Sequence, residues 1–409
     1  MDKREKSSQG IIDLDRVLLL LILLLNTAIG LSYILSFQVG MPTNLLNNAG
    51  KLFRIALLML DALYIVVYLC RKGKVYAVCV KVSLFLAYTV LVAVLVFRPS
   101  FLIYILAAFP WPCTFMVYYI YSREKGLSKV YSVLLIACHL ILCLASVRTV
   151  LTRHSEGTNV GPIYHTIVFL PMILLLCKKK TIVIMSTLLV FAIIVLSAKR
   201  TGLLALVIGY CGFFMVRTMI QETAKKRVKS MIAISILGVL ALATGLVYIK
   251  ISDSNVIDRF ESISEDQGSG RFGMWENILN EFKESPLQKK VFGHGIHAVP
   301  YRVRPFDKYI FAHNSYVEFL YDLGIIGVSA LILVVLGMGW VLIRLIKEKD
   351  EMAPAAFFVL AIVLFFSLAS YCFEESNYIL MLASCWGAIT GANARKKEDL
   401  KWLFDRKNK

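Results

Sequence analysis

Phe-Ala-His-Asn-Ser-Tyr, residues 311–316, ends the one long polar interval of this chain, which runs from 251 to 314. Apolar runs dominate the sequence on both sides of it: the 409 residues are 58% hydrophobic and 18% charged, with a mean hydropathy of +0.71. A soluble domain cannot bury that much apolar surface. In hydrocarbon, a helix satisfies every backbone polar group within one segment. We therefore predict an all-α polytopic integral membrane protein in which this interval is a large loop outside the membrane.

Twelve apolar runs have approximately the length that a membrane-crossing helix needs, which is about 20 residues. They lie at 17–37, 52–70, 75–97, 101–122, 130–147, 163–177, 181–198, 202–216, 230–250, 322–343, 354–370 and 378–394. No small-residue cleavage site follows the first run, so we interpret it as a span and not as a signal peptide. The predicted organisation is transmembrane helices 1–9 within residues 1–250, the loop at 251–314, helices 10–12 within 315–394 and a basic tail at 395–409.

The net charge of +18 is distributed unevenly over this arrangement. Lys and Arg concentrate in alternate short loops, at 71–74, 123–125, 178–180, 217–229 and 344–349, and in both tails. The positive-inside rule puts that face and both termini in the cytoplasm, and it puts the 251–314 loop on the external side. This pattern argues against nucleic acid as a partner, and the basic tail is expected to contact lipid headgroups.

The nine cysteines lie within or at the ends of apolar runs, so the sequence predicts neither a disulfide framework nor a CxxC metal site.

Two helices are predicted near the polar interval. Positions 275, 278, 279 and 282 are apolar and fall at i, i+3, i+4 and i+7, which indicates an amphipathic helix lying on the membrane surface. Ser269 or Gly270 begins this helix and Pro286 ends it. Phe-Gly-His-Gly at 292–295 predicts a tight turn that requires small residues. A second helix is predicted to follow Asn314, which places His313 at the entrance of a helix.

Three cations are candidates for binding an anion. Lys199 and Arg200 lie at the external end of a predicted span without an acidic neighbour in sequence. Their side chains either extend to lipid headgroups or bind an anion such as phosphate, which a guanidinium matches with its planar fork. Arg271 follows Gly-Ser-Gly at the predicted start of the amphipathic helix, where free N–H groups favour an anion. Its alternative interpretation is a solvated loop arginine.

His313 is the candidate general base, because an imidazole with an ordinary pKa near 6.5 can accept a proton at neutral pH. The alternative is a histidine that only packs or caps, and Asn314 is expected to act as the N-cap of the following helix. Glu374 and Glu375 are second candidates for the base, or partners of the cations, or solvated loop carboxylates. A metal site on His294, His297 and His313 is disfavoured, since no carboxylate or cysteine completes the set.

Three ordered motifs carry a resemblance to a known family. They are Ser-Ala-Lys-Arg-Thr-Gly-Leu-Leu (197–204), Gly-Arg-Phe-Gly-Met-Trp (270–275) with Ser-Pro-Leu (285–287) and Phe-Gly-His-Gly (292–295), and Ala-His-Asn-Ser-Tyr-Val-Glu-Phe-Leu-Tyr-Asp-Leu-Gly-Ile-Ile-Gly (312–327). In this order they resemble the O-antigen ligase and Wzy polymerase superfamily, closely over residues 180–330. The resemblance implies a GT-C-like membrane glycosyltransferase that uses an undecaprenyl-diphosphate-linked oligosaccharide.

The resemblance also implies roles for individual residues. Arg200 and Arg271 would hold the diphosphate, and His313 would activate the acceptor hydroxyl. Lys199, which stands where the family often has a small polar residue, joins the predicted diphosphate site. The supporting residues are expected to be Asn314, Tyr316, His294, Glu374 and Glu375. Direct displacement would invert the anomeric centre, and neither a metal nor a cofactor is expected.

Three functions are compatible with these observations. The favoured one is a polysaccharide polymerase of the bacterial cytoplasmic membrane, which transfers a growing chain onto the next lipid-linked repeat, with a flippase and a chain-length regulator as possible partners. A ligase that moves finished glycan to lipid A core, a teichoic acid or a protein has overlapping motifs. A secondary transporter would suit twelve spans but leaves the 64-residue loop unexplained, and the dissimilar halves argue against it.

Overall fold

The computed structural model describes residues 13–38, 40–96, 110–153, 163–197, 199–221, 271–303, 310–370, 372–373 and 376–407, with single positions at 223, 228 and 232. These residues form α-helices and one short π-helical turn, with no strand among them. The helices are α1 (Leu14–Ser36), α2 (Thr43–Lys72), α3 (Ala77–Leu95), α4 (Pro110–Glu124), α5 (Lys129–Arg153), α6 (Tyr164–Leu176), α7 (Lys180–Leu196), α8 (Arg200–Ile220), α9 (Arg271–Glu284), α10 (Leu287–Phe292), α11 (Ser315–Lys347), α12 (Ala353–Ala369) and α13 (Ser376–Lys407). The π-helical turn is Val299–Val303.

The predicted all-α membrane architecture is confirmed in the part of the chain that the structure describes. Each predicted run overlaps one of these helices, except the ninth at 230–250, nearly all of which lies outside the described residues. Six described helices, α1, α2, α3, α5, α8 and α11, are long and apolar enough to cross a membrane. Three further helices, α6, α7 and α12, are apolar but shorter.

Helices α4 and α13 pack closely against each other through two glycines. Gly387 and Gly391 lie one turn apart on α13, and a β-carbon at Gly387 would lie 2.5 Å from the carbonyl oxygen of Phe115. At Gly391 the added carbon would meet the carbonyl of Tyr119 even more closely. Small residues at this spacing let two helix backbones approach within a membrane, where van der Waals packing contributes much of the association energy.

Ion pairs collect at the end of the bundle opposite to the polar interval. Lys125 lies 2.7 Å from a carboxylate oxygen of Asp13 and 2.7 Å from one of Asp15. Lys396 pairs with Asp350 at 2.9 Å, and Lys397, Glu348, Arg123 and Glu398 form two further pairs. The first part of the basic tail therefore binds protein carboxylates, whereas the sequence predicted contact with lipid headgroups. The reason is that α13 continues past its apolar segment and lies beside the acidic turn between α11 and α12.

Helix α11 is interrupted at Gly324, whose φ of 68° and ψ of −170° are not helical. The interruption releases two carbonyls: Tyr321 accepts the N–H of His294 at 3.0 Å, and Asp322 accepts that of Gly295 at 2.9 Å. We call residues 293–303, which begin with these hydrogen bonds, the hook. Gly293 has a φ of 85°, and a β-carbon there would lie 2.5 Å from the carbonyl carbon of Asp322. The predicted tight turn at 292–295 and its need for small residues are confirmed.

Helix α9 coincides with the predicted amphipathic helix, but its apolar side faces protein. Met274 and Ile278 are buried in a small cluster with residues of the hook and of α11, and Trp275 packs against it. The prediction that this face lies on the membrane surface is therefore wrong for these residues. Periodicity identifies an apolar face, but the hook supplies its cover, and the hook's position depends on contacts far away in sequence.

The glycine contact between α4 and α13 makes a testable prediction. Gly391→Ala should destabilise the protein by about 1–3 kcal/mol, because the new methyl group meets the backbone of α4. Gly337→Ala on α11 is the matched control, since nothing lies within 4 Å of the added carbon there. Alanine should stabilise that helix by up to about 1 kcal/mol. The unfolding midpoint of each purified variant measures the difference, and equal midpoints would contradict the described contact.

Candidate active site

His313 lies in a turn, residues 310–314, that leads directly into α11; we call it the histidine turn. The side-chain oxygen of Asn314 accepts the N–H of Tyr316 at 3.0 Å and that of Val317 at 3.2 Å. This confirms the predicted N-cap. His313 itself has a φ of 51°, in the left-handed region that non-glycine residues rarely adopt. Its conformation therefore has to be maintained by the residues around it.

Ala312, the residue before His313, is held through both of its backbone polar groups. Its N–H donates to the carboxyl oxygen Oε2 of Glu318 at 2.6 Å. Its carbonyl accepts the indole N–H of Trp275 at 2.7 Å. Ala312 and Glu318 are both fully buried, with 0% exposure. The histidine turn is thereby attached to α11 on one side and to α9 on the other.

Arg271 is the first residue of α9 and reaches the C-terminal end of α12. Its Nη1 donates to the carbonyl oxygen of Ala369 at 2.9 Å. Carbonyl groups at a helix C-terminus carry partial negative charge, so they orient a guanidinium well. This hydrogen bond uses one of the five N–H groups of the guanidinium. The same end of the bundle is joined to α11, because the hydroxyl oxygen of Ser315 accepts the N–H of Cys372 at 2.8 Å.

Lys199 and Arg200 lie at the junction between α7 and α8. Lys199 occupies the N-cap position of α8, and Arg200 is its first residue. Burial lowers the pKa of the Lys199 ammonium, and the positive charge of Arg271 lowers it further. This second effect shows that Lys199 and Arg271 are electrostatic neighbours. The side chain of Arg200 lies outside the part of the structure that is described.

His313 interacts electrostatically with both Arg271 and Lys199. Burial lowers its pKa to about 4, and the charges of Arg271 and Lys199 contribute in that order. The structure therefore brings together three of the predicted site residues, a neutral imidazole and two cations, at one end of the bundle. Such an arrangement can bind an anion and can accept a proton from a neutral donor beside it.

The other two histidines of the interval belong to the hook. His294 is in the hook, where its Nδ1 lies 3.1 Å from the carbonyl of Tyr321 and its Nε2 lies 3.0 Å from the hydroxyl of Ser285. Its ring stacks on that of Tyr321, with centroids 4.2 Å apart. Burial is the main cause that lowers its pKa. These contacts give His294 a role in holding the hook on α11.

His297 is buried against the ring of Phe311, with centroids 5.2 Å apart. Burial and the charge of Arg54 lower its pKa to about 3. Within the described ranges, no group of three or more His, Cys, Asp or Glu side chains is arranged to hold a metal ion.

Of the remaining predicted site residues, the structure describes Tyr316. Tyr316 is half-buried at the start of α11 and packs against the main hydrophobic core. Glu374 and Glu375, the second candidates for the base, lie outside the described residues. Their predicted roles stay predictions.

Sequence reasoning missed the residues that fix the site in place. Glu318 and Asp322 are buried carboxyl groups at 0% and 1% exposure. The oxygens of Asp322 accept the N–H groups of three successive hook residues at 2.6, 2.9 and 3.2 Å. The signal was available, because acidic residues at the start of an apolar helix need partners when they are buried. Trp275 was assigned only to an apolar face, although a buried indole N–H also needs an acceptor.

Residues 185–332 match the protein family described as O-antigen ligase. The matched segment contains Lys199, Arg271 and His313, and it covers less than half of the chain. It confirms the resemblance to the O-antigen ligase and Wzy polymerase superfamily over these residues. It indicates a membrane protein with an activity of the O-antigen ligase or polymerase type on lipid-linked glycans. No curated protein showed significant similarity to the chain.

The pKa of His313 can be tested without any assay of activity. Diethyl pyrocarbonate modifies only the neutral imidazole, so the modification rate at His313 should be constant above about pH 5 and should fall near pH 4. Lys199→Met removes one of the two cations, so the pKa rises and the fall moves to higher pH. Lys283→Met, at an exposed lysine of α9, is the control. Peptide mass spectrometry measures the rates, and a fall near pH 6.5 in the unmodified protein would contradict the described environment.

Proposed function

We propose that the protein is a glycosyltransferase that extends a polysaccharide by using an undecaprenyl-diphosphate-linked glycan as donor and another lipid-linked repeat as acceptor. The observation that carries the proposal is the convergence of Arg271, Lys199 and His313 at one end of an apolar helix bundle. All three lie in the segment that matches the O-antigen ligase family. An anion site next to a neutral base is what displacement of a diphosphate by a hydroxyl requires.

The cations have the role of receiving the departing diphosphate. As the bond between the anomeric carbon and the diphosphate oxygen breaks, negative charge builds up on that oxygen. Arg271 and Lys199 would stabilise this charge, and we expect Arg200 to join them from the start of α8. Arginine is suited to the role because its planar fork binds phosphate oxygens through two hydrogen bonds and stays protonated at any working pH. These cations would supply the positive charge, so the proposed reaction uses no metal.

His313 has the role of general base. The acceptor hydroxyl attacks the anomeric carbon while His313 takes its proton, and the diphosphate leaves from the opposite side, which inverts the configuration. A base with a pKa of about 4 is weak when the neighbouring cations carry no bound anion. Bound diphosphate would offset the charges of Arg271 and Lys199, and the pKa of His313 would rise toward the working pH. The base would thus become stronger once the donor is bound.

We further propose a GT-C-like arrangement of twelve spans in a bacterial cytoplasmic membrane, with both termini cytoplasmic and the active site external. The concentration of basic residues in alternate loops supports this orientation. The described ion pairs of Lys125 with Asp13 and of Arg123 with Glu398 lie at the end away from His313, which is consistent with a basic cytoplasmic face there. An external site also fits an activated lipid-linked donor, because nucleotide pools are lacking there.

A ligase that transfers finished glycan to a terminal acceptor is the second candidate, because the matching family is described as O-antigen ligase and the motifs of the two activities overlap. Products separate the two: with lipid-linked repeats alone, a polymerase makes a ladder of lengths, whereas a ligase leaves them unchanged until its own acceptor is added. A flippase would supply the donor and a chain-length regulator would limit the ladder. If proteoliposomes that contain the protein take up a solute and transfer no glycan, the third function, a secondary transporter, would be favoured.

Arg271 provides the test of the diphosphate site. Arg271→Ala should lower glycan transfer by about a hundredfold or more, because it removes a charge partner of the transition state. Arg271→Lys should rescue it poorly, since an ammonium lacks the two-pronged geometry. Arg302→Ala, at an exposed arginine of the hook, is the matched control and should transfer normally. The measurement is transfer between purified lipid-linked substrates in nanodiscs, and an Arg271→Ala variant as active as the control would contradict the assignment.

A further inference from the structure

We propose that Trp275 is a positioning residue that couples the anion-binding end of α9 to His313 through the backbone of Ala312. The inference rests on the proposed function of His313 as the base. Trp275 does not reach a substrate in this scheme. It acts through the histidine turn, which it attaches to the helix that carries Arg271.

The position of Trp275 on α9 is what makes the coupling possible. Arg271 and Trp275 are four residues apart, so their side chains leave the same face of the helix one turn from each other, about 6 Å along its axis. From that face Arg271 donates to Ala369 and Trp275 donates to Ala312, at 2.9 and 2.7 Å. One rigid helix turn thus sets the separation between the cation and the turn that carries the imidazole.

Two further hydrogen bonds hold the elements next to the histidine turn. The segment that follows α12 and the start of α11 are joined where Ser315 accepts the N–H of Cys372 at 2.8 Å. The start of α11 and the histidine turn are joined where Glu318 accepts the N–H of Ala312 at 2.6 Å. Hydrogen bonds therefore link α9 to the end of α12 and to the histidine turn, and they link α11 to that turn and to the segment after α12. The Trp275 bond is a direct hydrogen bond from α9 to the histidine turn, beside the apolar contacts of Met274 and Ile278 in the same cluster.

The backbone of His313 explains why such support is needed. A histidine in the left-handed region prefers other conformations once its neighbours are released. If the Trp275 bond is lost, the turn gains freedom, and His313 becomes more hydrated and less closely held to Arg271 and Lys199. Both changes weaken the alignment of the His313 imidazole with the acceptor hydroxyl, and both raise the pKa of that imidazole.

Trp275→Phe tests the proposal, because phenylalanine keeps an aromatic ring in the apolar cluster and removes only the donor. Trp340→Phe is the matched control, the same change at a tryptophan of α11 that is 62% exposed. We expect kcat to fall about tenfold in Trp275→Phe, with KM for the donor within about twofold of the unchanged protein. We also expect the modification of His313 by diethyl pyrocarbonate to fall off at a higher pH than in the control.

Glu318 gives an independent second pair of variants. Glu318→Gln retains an oxygen that can accept the Ala312 N–H, so it should keep the His313 modification profile close to that of the unchanged protein. Glu318→Leu removes the acceptor and should shift the profile in the same direction as Trp275→Phe. This pair keeps the proposal open to refutation even if Trp275→Phe does not fold.

The two readouts separate the inference from the proposed function. If Trp275→Phe matches Trp340→Phe in both kcat and the modification profile, the positioning role is wrong, whatever the protein catalyses. If the profile shifts in Trp275→Phe while the unchanged protein transfers no glycan, the coupling stands and the proposed function is wrong. A loss of folded protein without any shift of the profile in the remaining fraction would show a merely structural role and would overturn the proposal.

Discussion

Two carboxyl groups buried in the first turns of α11 need hydrogen-bond donors, and the polar interval supplies them as backbone N–H groups. Glu318 binds the histidine turn and Asp322 binds three residues of the hook. Leaving one such group unsatisfied would cost about 1–3 kcal/mol, and more if it is charged. The segments before α11 are therefore folded onto its first turns, and the interruption at Gly324 adds the two carbonyls that hold the start of the hook.

This constraint also explains the electrostatics of the site. A turn that is hydrogen-bonded to α11 and α9 keeps His313 half-buried beside Arg271 and Lys199, and the imidazole stays neutral as a result. The low pKa has a consequence for stability. Because the folded-state pKa lies below the ordinary value of about 6.5, the unfolded chain binds more protons in the interval between them. Stability from this group is thus present above about pH 6.5 and is lost as the pH falls toward 4.

Much of the fold was predictable because it depends on local patterns. Apolar runs located the helices, Asn314 was recognisable as a cap, and the predicted limits of α9, Ser269 or Gly270 and Pro286, lie within two residues of its observed ends. The pair Gly387 and Gly391 could have been recognised from its spacing alone. The placement of His294 in the hook could not, because it depends on carbonyls that a glycine releases about 30 residues later. The hydrogen bond of Trp275 and the burial of His313 likewise arise from contacts between distant segments.

His313 is proposed to accept a proton during glycan transfer, and the turnover of His313→Gln tests this most directly. Glutamine can pack and form hydrogen bonds in that turn, but it cannot accept a proton at any working pH. Turnover between purified lipid-linked substrates should fall roughly 10²–10⁴-fold. Donor binding, measured separately, should stay within about twofold, because Arg271 and Lys199 are unchanged and the lost imidazole is neutral. A His313→Gln protein that turns over at the unmodified rate would contradict the account and would direct the search for the base to Glu374 and Glu375.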